Sequence, residues 1–259
     1  MESPSILKNS YKTSTRGIMM KISIVTSLYK VAPFISEFYS RCKTEVQKTD
    51  CDYEFVFVND GSPGESLDKV LDLQKQDSLV TVIDLSKNFG HHLAIMTGLE
   101  HATGDYIFSL DCDLEEPPEA LGEFYSIISQ TENLDVVYGV RSRRKDPLFT
   151  RLISKVFYYV FESLSGISSS KDNLFMRLMT KRYVQALVAH EEKHLFIGGL
   201  FHLVGFEQVA VEVAKDYKGS TGYSFRKRLA LAINGLLSFS SKPLYIIIFI
   251  GFILALGAT

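Results

Sequence analysis

Five short apolar runs rich in β-branched residues, at 21–28, 53–58, 80–85, 105–110 and 135–140, recur through the first half of the chain. Each gives way to polar or glycine-bearing residues, and a run of this kind closed by a turn signal has the pattern of a buried strand. Helix-length segments fill the gaps. Pro33 opens one that runs to about residue 48, and Ser66 can cap another through about 75. A third covers 93–101 and is broken by Gly104, and Pro118 begins the next. Strands alternating with helices at this spacing predict an α/β fold, a mostly parallel sheet with helices on both faces. In such sheets ligands bind beyond the carboxyl ends of the strands. Tyr29-Lys30, Asn59-Asp60-Gly61-Ser62, Lys87-Asn88-Phe89-Gly90 and Asp111-Cys112-Asp113 all follow strands, so one edge of the sheet collects the polar chemistry.

The pattern changes after Val140. A basic loop, Arg141-Ser142-Arg143-Arg144-Lys145, leads past Pro147 into an aromatic helix holding Phe149, Phe157, Tyr158, Tyr159 and Phe161. A loop rich in Ser and Gly follows, then a segment around Met176-Arg177-Leu178-Met179 and a short strand at 207–213. Residues 224–240 read as an amphipathic helix with Arg226, Lys227 and Arg228 at its start, suited to anionic headgroups. Pro243 separates it from an almost wholly apolar stretch at 244–258, which is shorter than the roughly 20 residues that span a bilayer. The expectation is a partial transmembrane helix over 243–259. At the other end, residues 1–17 contain no apolar run, so they are not a secretory signal, and a disordered tail over 1–19 is expected.

With 46% hydrophobic and 22% charged residues the chain is ordinary globular material. A formal net charge of −2 gives no global attraction to nucleic acid, which is not expected as a partner. Cys42, Cys51 and Cys112 are odd in number and lack C-x-x-C spacing, so they read as reduced thiols. His91-His92 is not expected to bind metal, because neighbours at a helix start face different ways and no third ligand is spaced for zinc.

Asp111 and Asp113 sit two apart in an extended loop at a strand end. Hard cations such as Mg²⁺ or Mn²⁺ take carboxylate oxygens, and Mg²⁺ is commonly held by one or two of them together with substrate phosphates. Such a metal stabilises the charge on a departing diphosphate. The composite LDCDLEEPPE after an apolar strand is much more specific than a bare D-x-D, since Pro117-Pro118 stiffens the exit from the loop.

These segments carry a resemblance. SIVTSLYK, FVFVNDGSPGES, LSKNFGHHLAIMTGLEHATGDYIFSLDCDLEEPPE, YGVRSRR, FMRLMTKRYVQAL and YSFRKRLALAINGLLSFSSKPL make the chain similar to family 2 glycosyltransferases of the GT-A (Rossmann-like) fold. Within them it resembles the polyprenyl-phosphate, dolichol-phosphate-mannose-synthase-like branch. The resemblance implies a GT-A domain over 20–223, a juxtamembrane helix over 224–242 and attachment to the cytoplasmic membrane face through the C-terminus. It implies a metal-dependent, inverting hexosyltransferase that uses Mg²⁺ or Mn²⁺ at Asp111 and Asp113, with Asp113 catalytic. The donor is a nucleotide-sugar, with a lean to UDP. Ser27 and Tyr29 would line the base pocket, Asp60 would accept the imide N–H of the base, Lys87 would meet the diphosphate, and Gly90 would let the backbone bend toward the ligand. Partners are the donor, a polyprenyl-phosphate acceptor and membrane lipids, with a homo-oligomer left open.

The chain departs from the family at Ser27, usually Pro, at Lys30-Val31, usually Asn-Glu, and at Glu115, commonly Gln. Phe175 stands where many members carry an Asp, a candidate base. Transfer to a hydroxyl needs a base, whereas a phosphate monoester is largely anionic at pH 7, with a second pKa of about 6. It needs cations instead, and Arg177, Arg141 and Lys218 are expected to supply them, with Arg177 counted as catalytic. The alternative acceptor is a glycan hydroxyl, with Glu191 or Glu192 as the base. A non-catalytic nucleotide- or membrane-binding role is the third reading.

Overall fold

The computed structural model describes residues 19–141, 173–190, 197–214 and 242–257. The expectations for the tail, the aromatic helix past Pro147, Glu191, Glu192, Lys218 and the 224–240 helix lie outside those residues. In chain order the elements are β1 (Lys21–Leu28), α1 (Ile35–Val46), β2 (Asp52–Asn59), α2 (Ser66–Gln76), β3 (Val80–Asp84), α3 (His91–His101) and β4 (Tyr106–Ser109). They continue as α4 (Ala120–Gln130), β5 (Leu134–Arg141), β6 (Asn173–Thr180), α5 (Lys181–Val188), α6 (Ile197–Leu203), β7 (Glu207–Val213) and α7 (Lys242–Gly257).

The strands form one seven-stranded sheet in the order β3-β2-β1-β4-β6-β5-β7. Pairs β1–β2, β2–β3, β1–β4 and β5–β7 are parallel, as the alternation of strand and helix predicts. β6 runs antiparallel between β4 and β5, so the sheet is mixed. The sequence reading leaves 173–180 unassigned as a strand, and the reason is Arg177. The segment alternates with period two, Leu174, Met176 and Leu178 entering one core and Phe175 and Met179 the other, and a charged residue interrupts the second row.

Helices cover both faces. On one, Phe38 of α1 and Leu121 and Phe124 of α4 pack against Phe55, Phe57 and Phe108, with Phe124 edge-on to Phe108. On the other, Ile95 and Leu99 of α3, Tyr183 and Leu187 of α5 and Phe201 of α6 cover Val25, Val56, Val58 and Met179. Fully burying one such side chain contributes about 1.5–3 kcal/mol, so these two apolar layers dominate stability. Gly98 lets α3 lie close to the sheet, because a Cβ there would stand 2.6 Å from a methyl of Val25.

Helix starts differ slightly from expectation. α1 begins two residues after Pro33, and Ser66 is the first residue of α2 with no side-chain cap bond at that end. α4 begins at Ala120, where the carbonyls of Pro117 and Pro118 accept from Ala120 and Leu121. Among the described residues no helix is long and apolar enough to cross a membrane. α7 has 16 residues, about 24 Å at 1.5 Å per residue against a hydrocarbon core of about 30 Å, and exposes Tyr245, Phe249 and Leu254.

Candidate active site

The carboxyl ends of β1, β2, β3 and β4 lie along one edge of the sheet, and their loops lock into one another. Asp60, directly after β2, is buried, and its carboxylate gathers the loop after β3. Oδ1 accepts from the Phe89 amide at 2.7 Å, and Oδ2 accepts from the Gly90 amide and the Asn88 side chain, both at 3.0 Å. Three bonds to one carboxylate fix residues 88–90 where α3 begins. Gly61 makes the approach possible: its φ is +56°, and a Cβ would lie 2.5 Å from the Asn88 nitrogen. Asn59 completes the lock by donating to Asp84 at 2.8 Å. Asp60 thus holds the loop that carries Lys87 and Gly90, and the latter has a φ of +96°.

Tyr29 and Phe89 are both about 45% exposed, each with a lysine ammonium over its ring, Lys30 at 5.4 Å and Lys87 at 5.1 Å. Exposed aromatic rings flanked by cations suit a planar base and its phosphates. Lys30 itself has a φ of +58°, held by a bond from its amide to Ser62 Oγ at 2.8 Å.

Asp111 and Asp113 follow β4, separated by buried Cys112. Asp113 Oδ1 accepts from the Glu115 amide at 2.9 Å, and Leu114 takes a φ of +61°, which turns the loop sharply. Burial raises the Cys112 thiol well above the usual range, and the Asp113 and Asp111 charges add to it. The thiol therefore stays protonated, and the donor set on this loop is oxygen. Among the described residues no group of three or more His, Cys, Asp or Glu could hold a metal by itself. Two half-exposed carboxylates fit a hard cation that takes its remaining ligands from a diphosphate and water.

Two residues that sequence reasoning passed over complete the site. His91, the first residue of α3, places Nδ1 2.8 Å from Ser27 Oγ and Nε2 3.5 Å from Asp111 Oδ1, with its ring edge-on to Phe175 at 4.6 Å. Burial lowers its pKa, while the charges of Asp60 and Asp113 pull the other way. The signal lay in position, since the first turn of a helix that follows a strand end faces that end. Glu116 is the second: it is buried and accepts from the Phe175 amide at 2.9 Å, tying the carboxylate loop to the start of β6.

Arg177, the residue expected to hold an acceptor phosphate, lies on β6 next to the end of β4. It pairs with Ser109 inside the sheet and is only 5% exposed, with its guanidinium carbon 3.3 Å from the Phe201 ring centroid. Burial brings its pKa down to about 10, partly offset by Tyr183, Glu116 and Tyr138. It supports the wall behind Phe175, whose carbonyl accepts from its Nε at 3.2 Å. Arg141 ends β5, paired with Val213 of β7.

The family model of glycosyl transferase family 2 matches residues 23–190. The chain belongs to this family. A Mycobacterium tuberculosis protein named as a glycosyltransferase is 43% identical over 90% of this chain and 68% of its own length. A Bacillus subtilis protein named as an uncharacterized glycosyltransferase, YkcC, is 35% identical over 91% of this chain and 73% of its own. Among solved structures, the Pyrobaculum calidifontis mannosyltransferase PcManGT, in complex with GDP-Man and Mn²⁺, is similar with a TM-score of 0.56 at 14% identity. That match covers 83% of this chain and 62% of PcManGT. Glucosyl-3-phosphoglycerate synthase of M. tuberculosis, with Mn²⁺ and UDP-glucose, matches with a TM-score of 0.57 at 13% identity, over 86% of this chain and 79% of the synthase. At such identities the likeness establishes the shared GT-A-like fold of this family 2 chain.

Proposed function

We propose that this family 2 glycosyltransferase moves a sugar, with inversion, from a nucleoside-diphosphate sugar, UDP-type, to a polyprenyl phosphate at a membrane surface. What supports the acceptor is Phe175: its apolar ring packs against His91, which lies 3.5 Å from Asp111, and by the resemblance it stands where many family members carry an Asp, a candidate base. A phosphate oxygen already bears charge and can attack the anomeric carbon without giving up a proton. The bond from that carbon to the diphosphate breaks, and the nucleoside diphosphate leaves with the electron pair.

This chain's residues orient the two reactants. Tyr29 packs on the base beside Ser27, and the loop held by Asp60 brings Lys87 to the diphosphate. Asp111 and Asp113 would hold Mg²⁺ or Mn²⁺, which supplies Lewis-acid stabilisation of the leaving diphosphate. Arg141 at the end of β5 and Lys218 are the cations proposed for the acceptor phosphate. The exposed apolar surface of α7 suits a lipid-borne acceptor and contact with bilayer lipids.

The test offers purified protein a panel of nucleotide-sugars with Mg²⁺ or Mn²⁺ and three acceptors: polyprenyl phosphate, the matching polyprenol, and a soluble glycan. Mass spectrometry should find a sugar on polyprenyl phosphate alone. Sugar on the glycan or the polyprenol, with polyprenyl phosphate left unmodified, overturns the acceptor.

A further inference from the structure

His91 occupies a junction that the donor and metal assignments do not use. It touches the end of β1 through Ser27, the loop after β4 through Asp111, and the start of β6 through Phe175. Its own place is fixed from behind, because Asp60 binds the amides of Phe89 and Gly90 immediately before α3.

The two ring contacts decide where the proton sits. If Nδ1 alone carried hydrogen, the bare lone pair of Nε2 would face the Asp111 carboxylate at 3.5 Å, an arrangement with repulsion and no bond. With hydrogen on Nε2, a donor stands 3.5 Å from the carboxylate oxygen, and the Ser27 hydroxyl can donate to Nδ1 at 2.8 Å. In the doubly protonated ring Nε2 carries hydrogen as well, so the conclusion holds in either charge state.

We propose that His91 is a positioning residue, which aims the Asp111 carboxylate at the metal–diphosphate through Nε2–H, with its ring held in place by Ser27. The distance of 3.5 Å is long for a hydrogen bond, as expected where catalytic contacts tighten only with substrate bound. Outer partners of this kind typically change metal affinity 10–100-fold when removed. The inference rests on the metal-dependent reading above and adds a residue to it.

The test measures Mn²⁺ binding by calorimetry to protein saturated with UDP, alongside kcat and KM for the donor and the melting temperature. His91→Phe keeps the ring against Phe175 and removes both nitrogens. His91→Asn can reach Ser27 but falls short of Asp111, whereas His91→Gln extends an amide toward Asp111. We expect the Phe and Asn variants to weaken Mn²⁺ at least about ten-fold and lower kcat, with Gln within a few-fold of wild type and melting temperatures unchanged. Ser27→Ala should move Mn²⁺ affinity the same way by a smaller factor. Wild-type affinity and turnover in the Asn variant, or equal losses in Asn and Gln, overturn the proposal. Wild-type protein that binds no Mn²⁺ with UDP sinks the metal reading itself, a result distinct from either.

Discussion

Gly61 and Asp60 show how far two adjacent residues can determine a site. The carboxylate of Asp60 gathers three donors from the loop after β3, and the absent side chain of Gly61 leaves room for that loop to arrive. Gly61→Ala would meet the Lys87–Asn88 peptide at 2.5 Å in a conformation with a φ of +56°. It should cost about 1–3 kcal/mol of stability and weaken nucleotide binding, as read by urea denaturation and UDP titration. Asp113 makes a different demand. Asp113→Asn should abolish transfer with the melting temperature unchanged, because a two-carboxylate clamp loses one charge while the fold keeps its contacts. Transfer that persists in Asp113→Asn and in the presence of a chelator would remove the metal from the mechanism.

Among elements, α1 and α2 are joined through Asp77 at the end of α2. Its carboxylate accepts from the Tyr39 hydroxyl and, at 2.8 Å, from the Lys43 ammonium, both on α1. The Lys43 bond, followed by the Tyr39 bond, lowers the Asp77 pKa to about 2. A carboxylate whose folded pKa lies below its unfolded value of about 3.9 adds stability above that pH. The contribution disappears as pH falls from about 4 to about 2. Asp77→Asn should therefore be less stable than wild type at pH 6, with the gap in urea midpoints closing by pH 2; a constant gap would mean packing alone. β6 makes the second case. Arg177→Ala opens a cavity under Phe201 and should cost roughly 2–4 kcal/mol in urea denaturation. An acceptor-binding arginine would leave stability intact and raise the acceptor KM instead.

For the whole molecule, the membrane reading turns on α7. Its exposed Tyr245, Ile248, Phe249, Ile253 and Leu256 fall on one broad stripe of the helix, with Leu254 on the far side. In the membrane reading, the chain should float with vesicles that contain anionic lipid at both low and high salt. The same chain ending at residue 241 should float only at low salt, held by Arg226, Lys227 and Arg228 through charges that salt screens. Flotation that is identical for the two forms at high salt would take the membrane contact away from α7.

The sequence alone determined the alternation of strands and helices, the edge of the sheet that collects polar residues, and the carboxylates on the loop after β4. Each is a local property: strand periodicity, turn chemistry and a short motif are readable within about ten residues. The mixed sheet was not readable that way, because pairing β6 antiparallel between β4 and β5 depends on contacts between segments far apart in the chain. The same holds for individual side chains. Arg177 reads as a phosphate ligand by residue type, and its contact with the Phe201 ring is visible only in the folded chain. His91 is not expected to bind metal from the sequence, and only the fold shows that the turn held by Asp60 directs it between Ser27 and Asp111. Residue type states what a group can do, and only the packing of distant elements decides what it touches.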